Sequence, residues 1–205
     1  MIWLAKKSMK RLILSSWFVL PALLLAYHYG PGQKQSALDE VALMTQAAHH
    51  YAEDAQWEKA IDLYDQSLQS MPEGEEALSR RIRLEKAKAQ MMASQLPEAR
   101  ESLVALMDEV SGDEQSEAGL GDEVRQSLAN AEFYLTWLMR LEGVDEATWR
   151  RHAESARQHY GFLATQPTTP DKESTRAQHQ RDLESAIQLA RMDLGDLQGL
   201  PLPSQ

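Results

Sequence analysis

From about residue 38 onward, apolar and polar positions recur with the three- and four-residue spacing of amphipathic α-helices. The clearest apolar stripe comprises Leu183, Ala186, Ile187, Ala190, Leu194 and Leu197. Good helix formers dominate this part of the sequence, and it contains no alternating β-branched runs. Glycines and prolines divide it into predicted helices at 38–54, 57–70, 75–94, 97–110, 122–142, 145–165 and 171–196. The pattern therefore predicts an all-α fold built from antiparallel helical hairpins.

Residues 41–74 carry small and aromatic side chains at positions that recur in one known kind of hairpin. They are Ala48, Tyr51, Ala55, Trp57, Ala60, Tyr64, Leu68 and Pro72, with Ser67 where alanine is usual. This set resembles the tetratricopeptide repeat, a unit of about 34 residues. The resemblance implies that Ala48 and Ala60 let two helices approach closely, that the aromatic residues fill the space beside the next hairpin, and that Pro72 ends the second helix.

The resemblance implies a short tetratricopeptide-like solenoid over residues 38–198. Its expected parts are repeat 1 at 41–74, a weaker repeat 2 at about 75–110, an acidic loop at 111–121, a divergent hairpin 3 at about 122–165, a capping helix at about 171–196 and a tail at 199–205. The loop is rich in glycine, serine and acidic residues, so we expect it to be mobile.

An apolar segment, residues 12–30, precedes the helical body. It contains no Asp, Glu, Lys or Arg, and as a helix it would roughly span a hydrocarbon core of about 30 Å. Four bases lie in the N-terminal stretch 1–11 and one follows the segment, at Lys34, so the positive-inside rule predicts a cytoplasmic N-terminus. We therefore expect a retained transmembrane signal anchor in the inner membrane, a linker at 31–37 and a periplasmic C-terminal domain. The alternative is a cleaved signal peptide.

Charge and composition restrict the partners. The chain has 31 acidic and 21 basic residues and no cysteine. Five of the bases lie in residues 1–34, which contain no acid, so the rest of the chain is strongly acidic. Such a body is a poor match for nucleic acid, and the lack of cysteine excludes disulfides and thiolate chemistry.

Sequence motifs give no sign of catalysis. Glycine-rich phosphate loops, HExxH and GxSxG are all absent from the sequence. Adjacent His49 and His50 point about 100° apart on a helix, and His152 and His159 are about two turns apart, so neither pair suits one metal ion. We therefore predict a protein that is not an enzyme, with no catalytic residue, cofactor, metal or small-molecule substrate.

Another protein is the expected partner, bound by the helix faces that line the concave side of such repeats. The candidate binding residues are Gln46, His50, Arg83, Lys86, Gln90, Asn130 and Tyr134. The basic cluster Arg80, Arg81, Arg83, Lys86 and Lys88 allows two interpretations. Arg80 and Arg83 could pair with Asp108 and Glu109 across a hairpin, or the cluster could line a groove for an acidic segment.

The segment 131–164, AEFYLTWLMRLEGVDEATWRRHAESARQHYGFLA, together with the anchor and the short repeat domain, resembles the small anchored repeat proteins found with MoxR-type ATPases and von Willebrand factor A proteins. That resemblance implies a scaffold for assembly or maturation of an envelope complex. The alternative is a permanent accessory subunit of an inner-membrane complex, which an exposed apolar face around Leu135, Leu138 and Leu141 would favour.

Overall fold

A computed structural model describes residues 31–113, 116–166, 173–199 and 203. Within these residues the chain forms α-helices and one short 3-10 helix, and no strand. The α-helices are α1 (Pro31–Glu53), α2 (Trp57–Gln69), α3 (Glu76–Met92), α4 (Leu96–Ser111), α5 (Leu120–Leu141), α6 (Glu146–Thr165) and α7 (Glu173–Arg191), and the 3-10 helix is Leu194–Gly199. The predicted all-α class is confirmed.

The first helix begins earlier than expected. Residues 31–37 were predicted to be a linker, but α1 begins at Pro31 and includes them. Residues 1–11 and 12–30, and the tail apart from residues 199 and 203, lie outside the described residues. Among the described residues, no helix combines the length and the apolar character that crossing a bilayer requires.

Three helix pairs, α1 with α2, α3 with α4 and α5 with α6, are joined by the same kind of turn. Ala55, Ser94 and Gly143 each have a positive φ, of 55°, 64° and 73°. The backbone N–H of the following residue donates to the carbonyl five positions back in all three turns, over 2.8, 2.8 and 2.9 Å. This pattern is the Schellman motif, which ends one helix and redirects the chain into the next.

Buried side chains connect each hairpin to the element that follows it. One cluster joins α1 and α2 to Ile82 and Ala89 of α3. A second joins α3 and α4 to α5 through Leu120, Val124 and Leu128, and a third joins α5 and α6 to α7 and Leu197. Each helix also packs against the next helix along the chain. The core is therefore a series of adjoining clusters along a stack of helices.

The residues of the tetratricopeptide pattern lie in the first cluster or beside it. Ala48, Ala60 and Ser67 are fully buried and Tyr64 is almost fully buried. Tyr51, Trp57 and Leu68 are half-buried and pack against the cluster. Helix α2 ends at Gln69 and Pro72 follows in the connection. The small residues thus lie where α1 and α2 approach, and the aromatic residues lie around that contact.

Candidate functional site: a groove lined by α3, α5 and α7

A groove of about 800 Å³ opens on the surface between α3, α5 and α7. Its apolar lining includes Trp57, Met91, Met92 and Leu163. Its other lining residues, most of them polar, are Lys88, Ala118, Gly119, Asp122, Glu123, Gln126, Ser127, Asn130, Gln166, Thr175 and His179. A concave surface that combines apolar side chains with a few polar groups is the usual form of a binding site.

A second cavity, of about 440 Å³, adjoins the first and is lined by α1, α2 and α3. Trp57, Lys88 and Met92 line both cavities. The second cavity adds two carboxylates, Glu53 and Glu85. We refer to the two cavities together as the groove.

A buried hydrogen-bond network lies beneath the α5 side of the groove. The Tyr160 hydroxyl donates to Oδ1 of Asn130 over 2.6 Å, and Nε2 of Gln126 lies 3.3 Å from the same oxygen. Asp182 of α7 accepts from Nε2 of Gln126 over 3.3 Å and from Nε2 of Gln178 over 2.9 Å. Burial, and secondarily the charge of Asp182, raises the pKa of Tyr160 well above its usual value. Tyr160 is therefore a protonated donor, and the network ties the groove lining on α5 to α6 and α7.

Of the sequence-predicted binding residues, the structure places Asn130 in the groove lining. Gln46 and His50 are exposed on α1, and Gln90 is buried in α3. Tyr134 is half-buried and packs against the third cluster, edge-on to Phe133. Neither described cavity is lined by Gln46, His50, Gln90 or Tyr134.

The basic cluster on α3 is largely paired inside the protein. Arg80 donates to Glu109 and Asp113 over 2.7 and 2.6 Å, and Arg83 also donates to Glu109. The hydrogen bond from Arg80 lowers the pKa of Glu109. Lys86 bonds to Asp65 over 2.5 Å. The structure therefore favours the interpretation in which Arg80 and Arg83 pair across the hairpin with Glu109.

The acidic loop, which was expected to be mobile, is held by the same cluster. Arg81 forms ion pairs with Glu117 and Glu123, over 2.6 and 2.5 Å. Arg80 binds Asp113 at the other side of the loop. The described parts of the loop are thus attached to α3, because their carboxylates satisfy its guanidinium groups. Of the five bases in the cluster, Lys88 alone lines the described groove.

A buried carboxylate between the second and third hairpins was missed at the level of sequence. The Glu132 side chain is 1% exposed. It accepts from Nε of Arg100 in α4 over 2.8 Å and from the Ser155 hydroxyl in α6 over 3.2 Å, and it lies 2.5 Å from Nδ1 of His152. The cluster holds α4, α5 and α6 together.

Metal-binding geometry is absent from the described part of the chain, where no three His, Asp or Glu side chains are arranged to hold an ion.

Comparison of the chain with protein-family models, with curated proteins and with solved structures finds no match. The fold and the groove thus define an all-α protein of stacked helical hairpins with a concave surface suited to binding.

Proposed function

We propose that this protein is a non-catalytic scaffold that binds a segment of another protein in the groove of a short tetratricopeptide-like array. The observation that carries the proposal is the groove itself, where Trp57, Met91 and Met92 offer apolar contact beside the polar side chains of α5. Methionine side chains are flexible and polarizable, so they adapt to different bound segments.

Two features support the array. The same Schellman turn joins the helices of three successive hairpins, and the buried clusters connect each hairpin to the next element. Stacked repeats of this kind contact mainly their neighbours and bind partners on their concave surface. Helix α7 is the proposed cap of the array.

Membrane attachment belongs to the same proposal and rests on the sequence of residues 12–30. The anchor places the array in the periplasm, where it assists assembly or maturation of an envelope complex, and it raises the local concentration of the bound pair. A C-terminal fusion to alkaline phosphatase, which is active only in the periplasm, tests this topology. An inactive fusion protein, expressed at normal level, would contradict it.

Co-purification from gently solubilised membranes tests the binding function. The wild-type chain is compared with Met92→Glu, which places a charge on the groove, and with Leu43→Glu as the control. Both side chains are exposed, at 43% and 68%, so neither change disrupts the core. We expect a partner protein that is lost with Met92→Glu and retained with Leu43→Glu. A partner set that both variants retain would contradict binding in the groove.

A permanent accessory subunit is the second candidate. Leu138 and Leu141 lie one turn apart near the end of α5 and are 36% and 42% exposed, whereas Leu135 is buried. Exposed apolar side chains that lie close together are typical of interfaces. If this candidate is right, Leu138→Glu combined with Leu141→Glu will release the partner set, and Met92→Glu will not.

A further inference from the structure

We propose that the groove takes a basic, apolar segment of the partner, an extended stretch in which lysine or arginine alternates with large apolar residues. This inference rests on the proposed function and specifies the chemistry of the bound segment. The proposed segment is basic, whereas the basic cluster on α3 suggested an acidic segment at the level of sequence.

The charges that line the groove are mostly negative. Among the described residues, four carboxylates contribute to the lining, those of Glu53, Glu85, Asp122 and Glu123, against one lysine, Lys88. The Lys88 amine lies 2.8 Å from Glu85 and 3.9 Å from Glu123, so its charge is already compensated within the groove. The groove therefore presents an excess of negative charge, which attracts cations and repels acids.

Each of the two cavities has an accessible carboxylate in its lining. The Glu53 side chain, at the end of α1, is 80% exposed. Asp122, in the first turn of α5, is also exposed, and among the described residues no ion pair is formed by it. Glu53 lies 4.0 Å from Nδ1 of His50, which is the one ion-pair contact that it makes among the described residues. Because both carboxylates are exposed, a cationic side chain of a ligand can reach them.

Apolar contact is available in the same two cavities. Trp57 and Met92 line both cavities, and Met91 and Leu163 add to the larger one. In an extended segment successive side chains point to opposite sides. In a segment in which apolar and basic residues alternate, the apolar side chains would therefore face Trp57 and the methionines. The basic side chains would point the other way and could reach the exposed carboxylates of Glu53 and Asp122.

The test measures binding of a blocked, dye-labelled decapeptide of alternating leucine and lysine to the full-length chain in mild detergent, by fluorescence anisotropy. Two further peptides separate the contributions: alternating leucine and glutamate reverses the charge, and alternating serine and lysine removes the apolar side chains. We expect the leucine–lysine peptide to bind at least about tenfold more tightly than either of the others. We also expect its affinity to fall as salt is raised.

Variants locate the binding. Glu53→Lys combined with Asp122→Lys should weaken the leucine–lysine peptide about tenfold, because two exposed attractive pairs become repulsive. Glu98→Lys combined with Glu101→Lys changes the net charge equally on exposed positions of α4 outside the groove, so this control should change affinity less than threefold. Equal weakening by both variants would overturn the proposal, since it would show attraction to the acidic body in general.

The remaining outcomes are equally decisive. Tighter binding of the leucine–glutamate peptide, sensitive to Met92→Glu, would overturn the proposed charge preference while leaving the groove as a binding site. Binding of none of the peptides would overturn the inference, and the co-purification with Met92→Glu and Leu43→Glu would then decide separately whether the groove binds a partner.

Discussion

The buried Glu132 cluster gives a quantitative test of how the second and third hairpins are held together. Its carboxylate bonds to Arg100 of α4 and lies against His152 of α6. The change Glu132→Gln keeps the shape of the side chain and removes its charge. A hydrogen bond to a charged group contributes about 1.5–3 kcal/mol to the free energy of unfolding and a neutral one about 0.5–1.5 kcal/mol. The loss is therefore about 1 kcal/mol for each of the two short contacts, those with Arg100 and His152. The bond from the Ser155 hydroxyl, at 3.2 Å, is longer than is usual for such a donor and adds little to this sum.

We accordingly expect Glu132→Gln to lower the free energy of unfolding by about 2 kcal/mol, which corresponds to a fall in Tm of about 4–8 °C for a chain of this size. Arg100 is 38% exposed and can be hydrated when its partner changes, whereas His152 is 19% exposed and regains less water. Circular dichroism at 222 nm, followed during heating of the full-length chain in mild detergent, measures the change. Glu101→Gln, at an exposed position of α4, is the matched control.

A double-mutant cycle makes the reasoning refutable. In an Arg100→Gln background the contact with His152 is the one short contact that remains to lose its charge assistance, so Glu132→Gln should then cost about 1 kcal/mol. If the losses in free energy of unfolding from Arg100→Gln and Glu132→Gln simply add in the double variant, the Arg100–Glu132 bond does not stabilise the fold. A loss below about 0.5 kcal/mol in the single variant, the range of ordinary surface substitutions, would refute the importance of the buried carboxylate.

Three further substitutions have defined outcomes. Tyr160→Phe removes the hydroxyl that donates to Asn130 and should lower the free energy of unfolding by about 0.5–1.5 kcal/mol in urea titrations, because one buried neutral hydrogen bond is lost while Oδ1 of Asn130 keeps its contact with Gln126. Burial is the main cause, and the charge of Arg125 the second, of a lowered pKa for His159 in the folded state. The stability that neutral His159 contributes is therefore present above about pH 6.5, the usual pKa of histidine, and is lost as the pH falls through the folded-state pKa. The fall in Tm from pH 7.5 to 5.5 should thus be smaller in His159→Gln than in the wild type, and an equal fall in both would contradict this role of His159. Gly143→Ala should cost about 1 kcal/mol by thermal melting, because φ there is +73° although an added Cβ would meet nothing within 4 Å.

The sequence allowed close prediction of the helices because their ends coincide with local signals. Gly143 and Pro72 both lie in connections between helices in the structure. Asp145, an N-cap residue type immediately before α6, accepts the backbone N–H of Thr148 over 3.0 Å. The prediction of a linker at 31–37 was wrong because Gly30-Pro31-Gly32 resembles a helix break, whereas residues 31–37 are helical in the structure.

The binding residues were harder to predict because they depend on which helices meet. Arg83 and Lys86 were candidates for a partner surface, but Glu109 of α4 and Asp65 of α2 take up their charges. Met91 and Met92 carry no motif, and they become part of a groove only where α3 lies near α5 and α7. Glu132 did offer a signal, since a single acid between apolar residues of a helix requires a buried partner.

The structure also explains why the groove can be formed before a partner binds. The guanidinium of Arg140, buried in α5, donates to the backbone carbonyl of Leu189 in α7 and, over 2.5 Å, to that of Met192, so it satisfies carbonyls that the end of a helix leaves without partners. Asp182, in the middle of α7, is held from α5 by Gln126. The α7 side of the groove is thus fixed to α5 at two points by buried polar contacts. A groove whose sides are fixed in this way loses less conformational entropy on binding, so more of the contact energy contributes to affinity.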